Sequence, residues 1–374
     1  MNILFVLANY YPYVGGSELL FQRLAEGLVK KGHYVKVITS GKPGLAKHER
    51  IHGVDVERVK LPISENPFLF TLVSIPRLIK QVSQFEIIQT SSNYSALAAY
   101  LGSLFGKAKI VITCHEVLGE RWEFVLASKR KSFIYQFIEK MIVSLPYDHH
   151  VCISNATKND LIQTGVEAGQ VQVIYPGVDL EGEEIQPSSE NELSNLFSQA
   201  DFNYVYYGRP GVTKGVHYLV DAVPEISRKI PGSQLLMILS SSPAAEYEKI
   251  KLAIREKKLV DKVTLVPTFS DRKDLFAFLS QSNCIVIPSL TEGFGFTTVE
   301  ASSLDVPVVA SASGSIPEVV FGNFVLVEAG SATAIAEGVV RVFNGDLDYL
   351  KAKDFNWDTM VNEYEQCYLS EING

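Results

Sequence analysis

The stretch from Cys284 to Pro307, CIVIPSLTEGFGFTTVEASSLDVP, decides how the rest of the chain is interpreted. Its short apolar run is stopped by Pro288, and a turn with two glycines then opens an amphipathic segment. This order predicts a buried strand, a loop and a helix. Glutamates stand at both ends of the segment, so that Glu292 lies in the loop and Glu300 lies roughly one turn into the helix.

A segment of this kind suits the binding of phosphates and polyols. The helix dipole and the unpaired N–H groups of a first turn favour an anion, and glycine lets a ligand approach the backbone closely. The N–H groups concerned are those near Phe294, Gly295, Phe296 and Thr297. Carboxylates accept hydrogen bonds from sugar hydroxyls, and the spacing of the glutamates favours two separate hydroxyl-bearing groups over one shared water or metal. Taken alone, the stretch also fits a loop with one exposed glutamate and a helix with another on its surface.

Composition indicates a soluble globular protein with two domains. The chain has 374 residues, of which 47% are hydrophobic and 20% are charged. No apolar run reaches the roughly 18 residues that a membrane-spanning helix needs. The N-terminus lacks the basic region and cleavage site of a signal peptide, so we expect a cytoplasmic location.

The charge distribution argues against nucleic acid as a partner, and the cysteine spacing argues against disulfides and a zinc site. Residues 1–180 carry 19 Lys and Arg against 15 Asp and Glu, whereas the remainder carries 15 against 27. A basic first half and an acidic second half argue against a broad nucleic-acid-binding face. The four cysteines never form a C-x-x-C motif, which favours buried thiols over disulfides or a zinc site.

The first half opens as a Rossmann-like domain. An apolar run at residues 2–8 is followed by a loop with Gly15 and Gly16, by a helix from about Glu18 to Lys31, and by a second apolar run. The two glycines do not form G-x-G-x-x-G with a ribose-binding acid, so a dinucleotide site is disfavoured. They suit either a ligand-facing turn or a simple tight turn.

His115 directly follows the apolar strand Lys109 to Thr113 and Cys114. A histidine just past the carboxyl end of a parallel strand stands where ligands bind in open α/β sheets. A neutral histidine that caps the strand through hydrogen bonds is the alternative.

A basic and aromatic stretch, Arg121 to Val143, is predicted to be one long helix. It fits either a membrane-surface patch or a core-packed helix with one solvated basic turn.

The second half begins after a polar linker at about residues 181–200. The strand Tyr204 to Tyr207 leads directly into GRPGVTKG, which contains Arg209 and Lys214. A bidentate arginine and a lysine point charge on a glycine-rich loop suit a diphosphate, whose leaving charge they would offset. Two solvated cations on a surface turn are the alternative. Another apolar strand ends before Phe269.

Together these motifs resemble retaining glycosyltransferases of family four, which have the GT-B architecture. The resemblance rests on the two glutamates with seven residues between them, on the arginine and lysine followed by glycine, and on the histidine after its strand. It extends to Ser313–Glu318, which is similar to the family's Gly-Gly-Ile-Pro-Glu turn with Ser315 in place of one glycine. The motifs occur in family order from about Asn2 to Leu369.

The resemblance implies an α/β fold with two Rossmann-like domains that face an interdomain cleft. Residues 1–180 would form the acceptor-binding domain and residues 201–350 the nucleotide-sugar-binding domain, joined by the linker at 181–200. Residues 351–374 would form a C-terminal helix that crosses back to the first domain.

The resemblance also implies that a sugar moves from a nucleoside diphosphate to an acceptor hydroxyl with retention of configuration. The implied catalytic residues are Glu292, Arg209, Lys214 and His115. Glu292 and His115 would contact the donor sugar, Arg209 and Lys214 the diphosphate, and Glu300 the ribose. The backbone of Gly15, Gly16, Phe294, Gly295, Phe296, Thr297 and Phe269 would complete the donor site. No metal or other cofactor is required.

UDP-glucose or UDP-N-acetylglucosamine is the preferred donor, with GDP-mannose as the alternative. A saccharide or a lipid-linked, anionic acceptor suits the basic first half. Such an acceptor would place the protein in cell-surface polysaccharide or glycolipid assembly, in peripheral contact with the inner face of the cytoplasmic membrane. A nucleotide-sugar-binding protein without transfer activity is the second hypothesis. A glycogen-type phosphorylase is disfavoured because the chain is too short and no lysine has a recognisable pyridoxal context.

Overall fold

The computed structural model describes residues 1–13, 15–61, 67–126, 128–179 and 192–374, without the side chains of residues 67, 68 and 192–194. The chain forms two compact units. The N-terminal unit comprises Met1–Asp179 and Phe355–Gly374, and the C-terminal unit comprises Leu180–Asp354. Most of the predicted linker, up to residue 191, lies outside the described residues.

The N-terminal unit contains an eight-stranded sheet with the order β3-β4-β2-β1-β5-β6-β7-β8. All neighbours are parallel except β3 and β4. The strands are β1 (Asn2–Val6), β2 (Tyr34–Gly41), β3 (His48–Ile51), β4 (Val54–Lys60), β5 (Ile87–Ser91), β6 (Lys109–Cys114), β7 (His149–Cys152) and β8 (Val171–Val173). The helices are α1 (Gly16–Lys30), α2 (Pro67–Gln81), α3 (Tyr94–Ser103), α4 (Trp122–Val125), α5 (Lys129–Val143) and α6 (Asn155–Gln163).

The prediction of one long helix from Arg121 to Val143 is wrong. The structure has the short helix α4 and the separate helix α5, because Leu126 adopts an extended backbone (φ −114°, ψ 125°) that ends α4. The second helix, α5, therefore begins separately at Lys129.

The C-terminal unit contains a seven-stranded sheet with the order β11-β10-β9-β12-β13-β14-β15, parallel except for β15. Its strands are β9 (Phe202–Gly208), β10 (Ser233–Leu239), β11 (Val263–Val266), β12 (Cys284–Ile287), β13 (Val308–Ser311), β14 (Gly322–Val327) and β15 (Asp348–Leu350). Its helices are α7 (Val216–Lys229), α8 (Ala244–Glu256), α9 (Arg272–Leu279), α10 (Phe296–Ser302), α11 (Ile316–Val319) and α12 (Ala332–Phe343).

Both faces of this second sheet are covered. Along β9, Tyr204 and Tyr206 belong to one buried apolar cluster, while Val205 and Tyr207 belong to another. Because successive side chains of a strand point to opposite faces, a strand buried on both sides is apolar throughout. The continuous apolar runs in the sequence are explained by this double burial.

The last helix, α13 (Trp357–Asn373), belongs to the N-terminal unit. Tyr364 and Tyr368 are fully buried. The hydroxyl of Tyr364 lies 2.9 Å from that of Thr113, and the hydroxyl of Tyr368 donates to Gln89 Oε1 at 2.7 Å. The helix therefore adds aromatic rings and hydrogen bonds to the core beneath β5 and β6.

The cysteine prediction is confirmed, since all four cysteines are buried and none forms a disulfide. A search of the described helices finds none that is both long and apolar enough to cross a bilayer.

We predict that Tyr368→Phe destabilises the protein by about 1–3 kcal/mol, because the buried Gln89 Oε1 loses the hydroxyl that donates to it. The melting temperature should fall by several degrees in a thermal unfolding experiment. Tyr349→Phe removes the same atom from a side chain that is 70% exposed and should leave the melting temperature unchanged. Equal melting temperatures for the two variants would contradict the structural role of α13.

Candidate active site

Four predicted motifs follow strands of the C-terminal sheet. Arg209 and Lys214 follow β9, Phe269 follows β11 and Glu292 follows β12. The turn at Ser313–Glu318 follows β13. Because β9, β11, β12 and β13 run in the same direction, their carboxyl ends lie at one edge of the sheet. Ligands of open α/β sheets bind at this edge.

Lys214 and Glu292 form an ion pair across the loops that follow β9 and β12. Lys214 Nζ lies 2.6 Å from Glu292 Oε1, which also accepts a hydrogen bond from Ser289 Oγ at 2.8 Å. The Glu292 side chain is 11% exposed and that of Lys214 is 26% exposed. Both charges therefore remain accessible, while their mutual position is fixed.

The backbone of Glu292 is held by the turn after β13. The N–H and the hydroxyl of Ser315 both donate to the Glu292 carbonyl, each at 3.1 Å. Gly314 has φ +55°, and a Cβ there would lie 2.4 Å from the same carbonyl. Ser315, which stands where the resembled family has glycine, thus contributes a hydrogen bond of its own to the carboxylate loop.

Gly215 lets the loop with Lys214 lie directly against the strand β12. Its φ is +63°, and a Cβ would lie 1.9 Å from the carbonyl oxygen of Pro288. The N–H of Leu290 also donates to the Thr213 carbonyl at 2.7 Å. This close approach of two backbones sets the distance between Lys214 and Glu292.

Glu300 lies on α10, and Arg272 and Tyr207 contact its carboxylate. Arg272 Nη2 lies 2.7 Å from Glu300 Oε1, and the hydroxyl of Tyr207 donates to Oε2 at 3.2 Å. The Tyr207 hydroxyl also contacts the Thr297 carbonyl at 2.8 Å. Burial, and secondly the nearby Glu300 charge, raise the pKa of Tyr207 well above its ordinary value, so this hydroxyl stays protonated as a donor.

Arg209 is exposed at the end of β9. Its carbonyl accepts a hydrogen bond from the Tyr206 hydroxyl at 3.0 Å, which fixes the backbone. No ion pair holds its guanidinium among the residues that the structure describes. The side chain is therefore a cation at the same sheet edge whose donors face solvent.

The remaining predicted residues of this unit differ in exposure. Phe294 is 2% exposed and packs edge-on against Phe296, with ring centroids 5.0 Å apart. Gly295 is buried in a left-handed conformation (φ +86°) at the start of α10, where Phe296 and Thr297 are half-buried. The ring of Phe269 packs against Phe278, so the aromatic side chains serve the core.

In the N-terminal unit, His115 follows β6 and contacts α1. Its ring lies edge-on to Phe21, with centroids 5.3 Å apart. Burial lowers its pKa to about 4, although the Glu18 charge opposes the shift. The imidazole is therefore neutral at neutral pH, and its buried Nε2 has no hydrogen-bond partner within the described residues.

Gly15 and Gly16 stand at the start of α1, near Glu18. Gly15 precedes the helix in an extended conformation (φ −172°), and Gly16 is its first residue. The Glu18 carboxylate accepts hydrogen bonds from Asn9 and Ser17 at 3.4 and 2.9 Å. Neither glycine requires a left-handed backbone.

Glu139, on α5, fixes the loop that follows His115. Its carboxylate accepts hydrogen bonds from the N–H groups of Leu118 and Gly119 at 3.0 and 2.7 Å. Burial raises the pKa of Glu139, and the two backbone hydrogen bonds oppose the shift.

Sequence reasoning missed Arg272, Tyr207, Ser289 and Glu139. Tyr207 had a usable signal, since it is the penultimate residue of a buried strand and carries a hydroxyl close to the end at which ligands bind. Arg272 precedes Glu300 by 28 residues, and no periodic pattern connects them. A search of the described side chains finds no cluster of three or more His, Cys, Asp or Glu residues that would hold a metal ion.

Known families match most of the chain. Residues 14–181 match the family described as Glycosyltransferase Family 4, and residues 189–355 match Glycosyl transferases group 1. The chain belongs to glycosyltransferase family 4. The enzyme class is therefore that of the glycosyltransferases, as the motifs predicted.

Three relatives illustrate the match of this glycosyltransferase. It is 27% identical to an uncharacterized glycosyltransferase of Methanocaldococcus jannaschii, over 98% of both chains. It is 26% identical to a Homo sapiens subunit of phosphatidylinositol N-acetylglucosaminyltransferase, over 91% of this chain and 68% of the human one. The solved structure of Anabaena HepE in complex with UDP-glucose is 18% identical, with a TM-score of 0.70 over 100% and 97% of the two chains. The structural likeness confirms the predicted GT-B fold.

We predict that Gly215→Ala lowers the melting temperature of this glycosyltransferase more than Gly345→Ala does. Both glycines have a left-handed backbone, which costs an alanine on the order of 1–3 kcal/mol. Only at Gly215 does the new Cβ also meet a backbone carbonyl, whereas nothing lies within 4 Å at Gly345. Thermal unfolding of the two variants measures the difference, and equal losses would show that the loops after β9 and β12 are not in close contact.

Proposed function

We propose that this protein is a retaining hexosyltransferase that uses a nucleoside diphosphate sugar, with UDP-glucose or UDP-N-acetylglucosamine as the donor. The observation that carries the proposal is the Lys214–Glu292 ion pair at the carboxyl edge of the C-terminal sheet, where Arg209 and Glu300 also lie. Cations for a diphosphate and carboxylates for hydroxyls are thus supplied by neighbouring strand ends.

Each charged group has a proposed role in donor binding. Arg209 and Lys214 bind the diphosphate and offset the charge that grows on the leaving phosphate. Glu292, held by Ser289 and Lys214, accepts hydrogen bonds from the donor sugar. Glu300 accepts the ribose hydroxyls. These two cations supply the positive charge that the reaction needs, so the proposal includes no metal or other cofactor.

The remaining residues of the proposed donor site act mainly through the backbone. The N–H groups near Phe294, Gly295, Phe296 and Thr297 contact the phosphates, and the segment at Phe269 contacts the base. Since Phe294 is only 2% exposed, its contribution is confined to a small part of its main chain. Gly15 and Gly16 offer backbone to the diphosphate at the start of α1.

Retention follows from a front-face reaction in this proposal. The bond between the anomeric carbon and the phosphate oxygen breaks as the acceptor oxygen bonds to the same face of that carbon. The acceptor proton passes to the leaving phosphate, so positioning and electrostatic stabilisation carry the rate. His115, neutral because burial depresses its pKa to about 4, donates or accepts one hydrogen bond to the donor sugar and does not act as a cation.

The choice of a UDP-sugar is supported by the relatives. HepE was solved with UDP-glucose, and the human relative is named for N-acetylglucosaminyl transfer to phosphatidylinositol. The alternative donor is GDP-mannose. A nucleotide-sugar-binding protein without transfer activity is the alternative function, disfavoured because both glutamates and both cations are present.

The acceptor is proposed to be lipid-linked or a saccharide at a membrane face. On α5, Phe133 and Phe137 are 69% and 65% exposed, and Ile134 and Met141 are also exposed. At 100° per residue these four side chains share one face of the helix, while the buried Ser132, Ile142 and Val143 lie opposite. The alternative of a core-packed helix therefore does not describe these four residues.

Cations border the same face of α5. Lys129, Arg130, Lys131 and Lys140 are all exposed. Each basic residue near an anionic bilayer contributes about 1 kcal/mol, and exposed apolar rings add to it. We propose that this helix makes peripheral contact with the inner face of the cytoplasmic membrane, where cell-surface polysaccharides or glycolipids are assembled.

We predict that one of UDP, GDP and ADP raises the melting temperature, and that this nucleotide is UDP. A ligand at about 100 times its dissociation constant adds roughly 2.7 kcal/mol to the free energy of unfolding. Glu300→Ala should weaken the shift, whereas Glu256→Ala, which removes an exposed carboxylate at the end of α8, should preserve it. The proposal fails if none of the three nucleotides produces a shift. Release of UDP from UDP-glucose in the presence of lipid extract then separates an enzyme from a binding protein.

We further predict that the protein sediments with phosphatidylserine-rich vesicles at low salt and less at high salt, because screening weakens the attraction of the basic residues. Phe133→Ser combined with Phe137→Ser should abolish sedimentation. Leu252→Ser replaces an apolar residue that is 55% exposed on α8 and should sediment as the unaltered chain does. If the unaltered chain stays in the supernatant, or the double variant sediments equally, α5 does not bind lipid.

A further inference from the structure

The Glu300 carboxylate is part of a three-residue cluster whose other two members have no role in the proposed reaction. Arg272 Nη2 contacts Oε1 at 2.7 Å and the Tyr207 hydroxyl contacts Oε2 at 3.2 Å. Arg272 is the first residue of α9, three residues after Phe269. Its guanidinium carbon also lies 4.9 Å from the ring centroid of Phe276, one turn further along the helix.

These contacts hold the guanidinium from two sides. A stacked arginine has a fixed planar fork and loses less side-chain entropy when it forms a hydrogen bond than a free one does. The pair is asymmetric in exposure, since the Glu300 side chain is 12% exposed and that of Arg272 is 43% exposed. The carboxylate is therefore the partner that has lost most of its contact with water.

The cluster orients the Glu300 carboxylate. The Arg272 guanidinium binds one carboxylate oxygen, and the Tyr207 hydroxyl, which shares its one proton with the Thr297 carbonyl, lies against the other. Contacts on both oxygens limit the rotation of the carboxylate. The arrangement therefore presents oriented lone pairs, which suits two neighbouring hydroxyl groups such as the 2′- and 3′-hydroxyls of a ribose.

We propose that Arg272 is a positioning residue that holds the Glu300 carboxylate in the orientation needed for the two ribose hydroxyls, and thereby sets the preference for ribonucleotides over deoxyribonucleotides. This inference rests on the proposed function, in which Glu300 binds the ribose. Arg272 itself acts through Glu300 and makes no direct contact with the nucleotide.

The test is isothermal titration of the full-length protein with UDP and with 2′-deoxy-UDP. The unaltered chain should bind UDP about tenfold more tightly, the effect of one hydrogen bond to a charged acceptor. Arg272→Ala should weaken the binding of UDP by about five- to tenfold and that of 2′-deoxy-UDP, which keeps only the 3′-hydroxyl, by about two- to threefold, so that the preference becomes smaller. A purely structural role would weaken both nucleotides together.

Three further variants sharpen the result. Arg272→Lys keeps the charge without the stacked fork and should restore part of the preference. The double variant Arg272→Ala with Glu300→Gln should bind UDP no more weakly than Glu300→Gln alone, because the arginine acts through the glutamate. Arg228→Ala removes an exposed arginine of α7 that pairs with Glu225 at 3.8 Å, and both dissociation constants should stay unchanged.

Two outcomes would overturn the inference alone. If Arg272→Ala weakens the binding of both nucleotides equally, the arginine contacts the base or the phosphates directly. If it changes neither dissociation constant, the ion pair has no part in binding. Absence of binding by the unaltered chain is a different result, since it would overturn the proposed function itself. If Arg272→Ala does not fold, the binding of UDP and of 2′-deoxy-UDP is compared in Arg272→Lys instead.

Discussion

The ion pair between Lys214 and Glu292 is the contact on which the rest of the candidate site depends. It joins the loops after two adjacent parallel strands, β9 and β12, and it is possible only because Gly215 brings one backbone against the carbonyl of Pro288. On its other side the Glu292 backbone is held by Gly314 and Ser315. Three strand ends thus meet at one residue, Glu292, whose main chain is held by the turn after β13 and whose carboxylate is held by Lys214 and Ser289.

Much of the fold could be predicted from the sequence, because a strand buried on both faces has a continuous apolar run, as at β1, β6 and β9. The antiparallel strand β3, in contrast, is largely exposed and has no apolar alternation, and β15 is fully exposed. Within the site, Lys214 and Glu292 were found because each directly follows an apolar strand. The pairing of Arg272 with Glu300 was missed because it depends on how α9 and α10 pack, which no spacing in the sequence encodes.

Helix α5 has two faces with different surroundings, one packed against the unit and one exposed. Its buried face includes Glu139, whose carboxylate holds the N–H groups of Leu118 and Gly119 in the loop that follows His115. Its exposed face carries aromatic and basic side chains. A displacement of this helix would therefore be transmitted through two hydrogen bonds to the segment next to the buried imidazole. One helix thus carries both the exposed aromatic and basic surface and the carboxylate that holds the loop after His115.

Helix α13 has a consequence for the order in which the protein is made. The N-terminal unit is discontinuous, because its core includes Tyr364 and Tyr368 from the last 20 residues of the chain, Phe355–Gly374. The C-terminal unit is encoded entirely before them and can fold as soon as it has left the ribosome. The N-terminal unit, although synthesised first, remains incomplete until Phe355–Gly374 has left the ribosome. During synthesis, part of the apolar surface of β5 and β6 therefore stays uncovered until α13 has been made. A chaperone would be needed most during this interval.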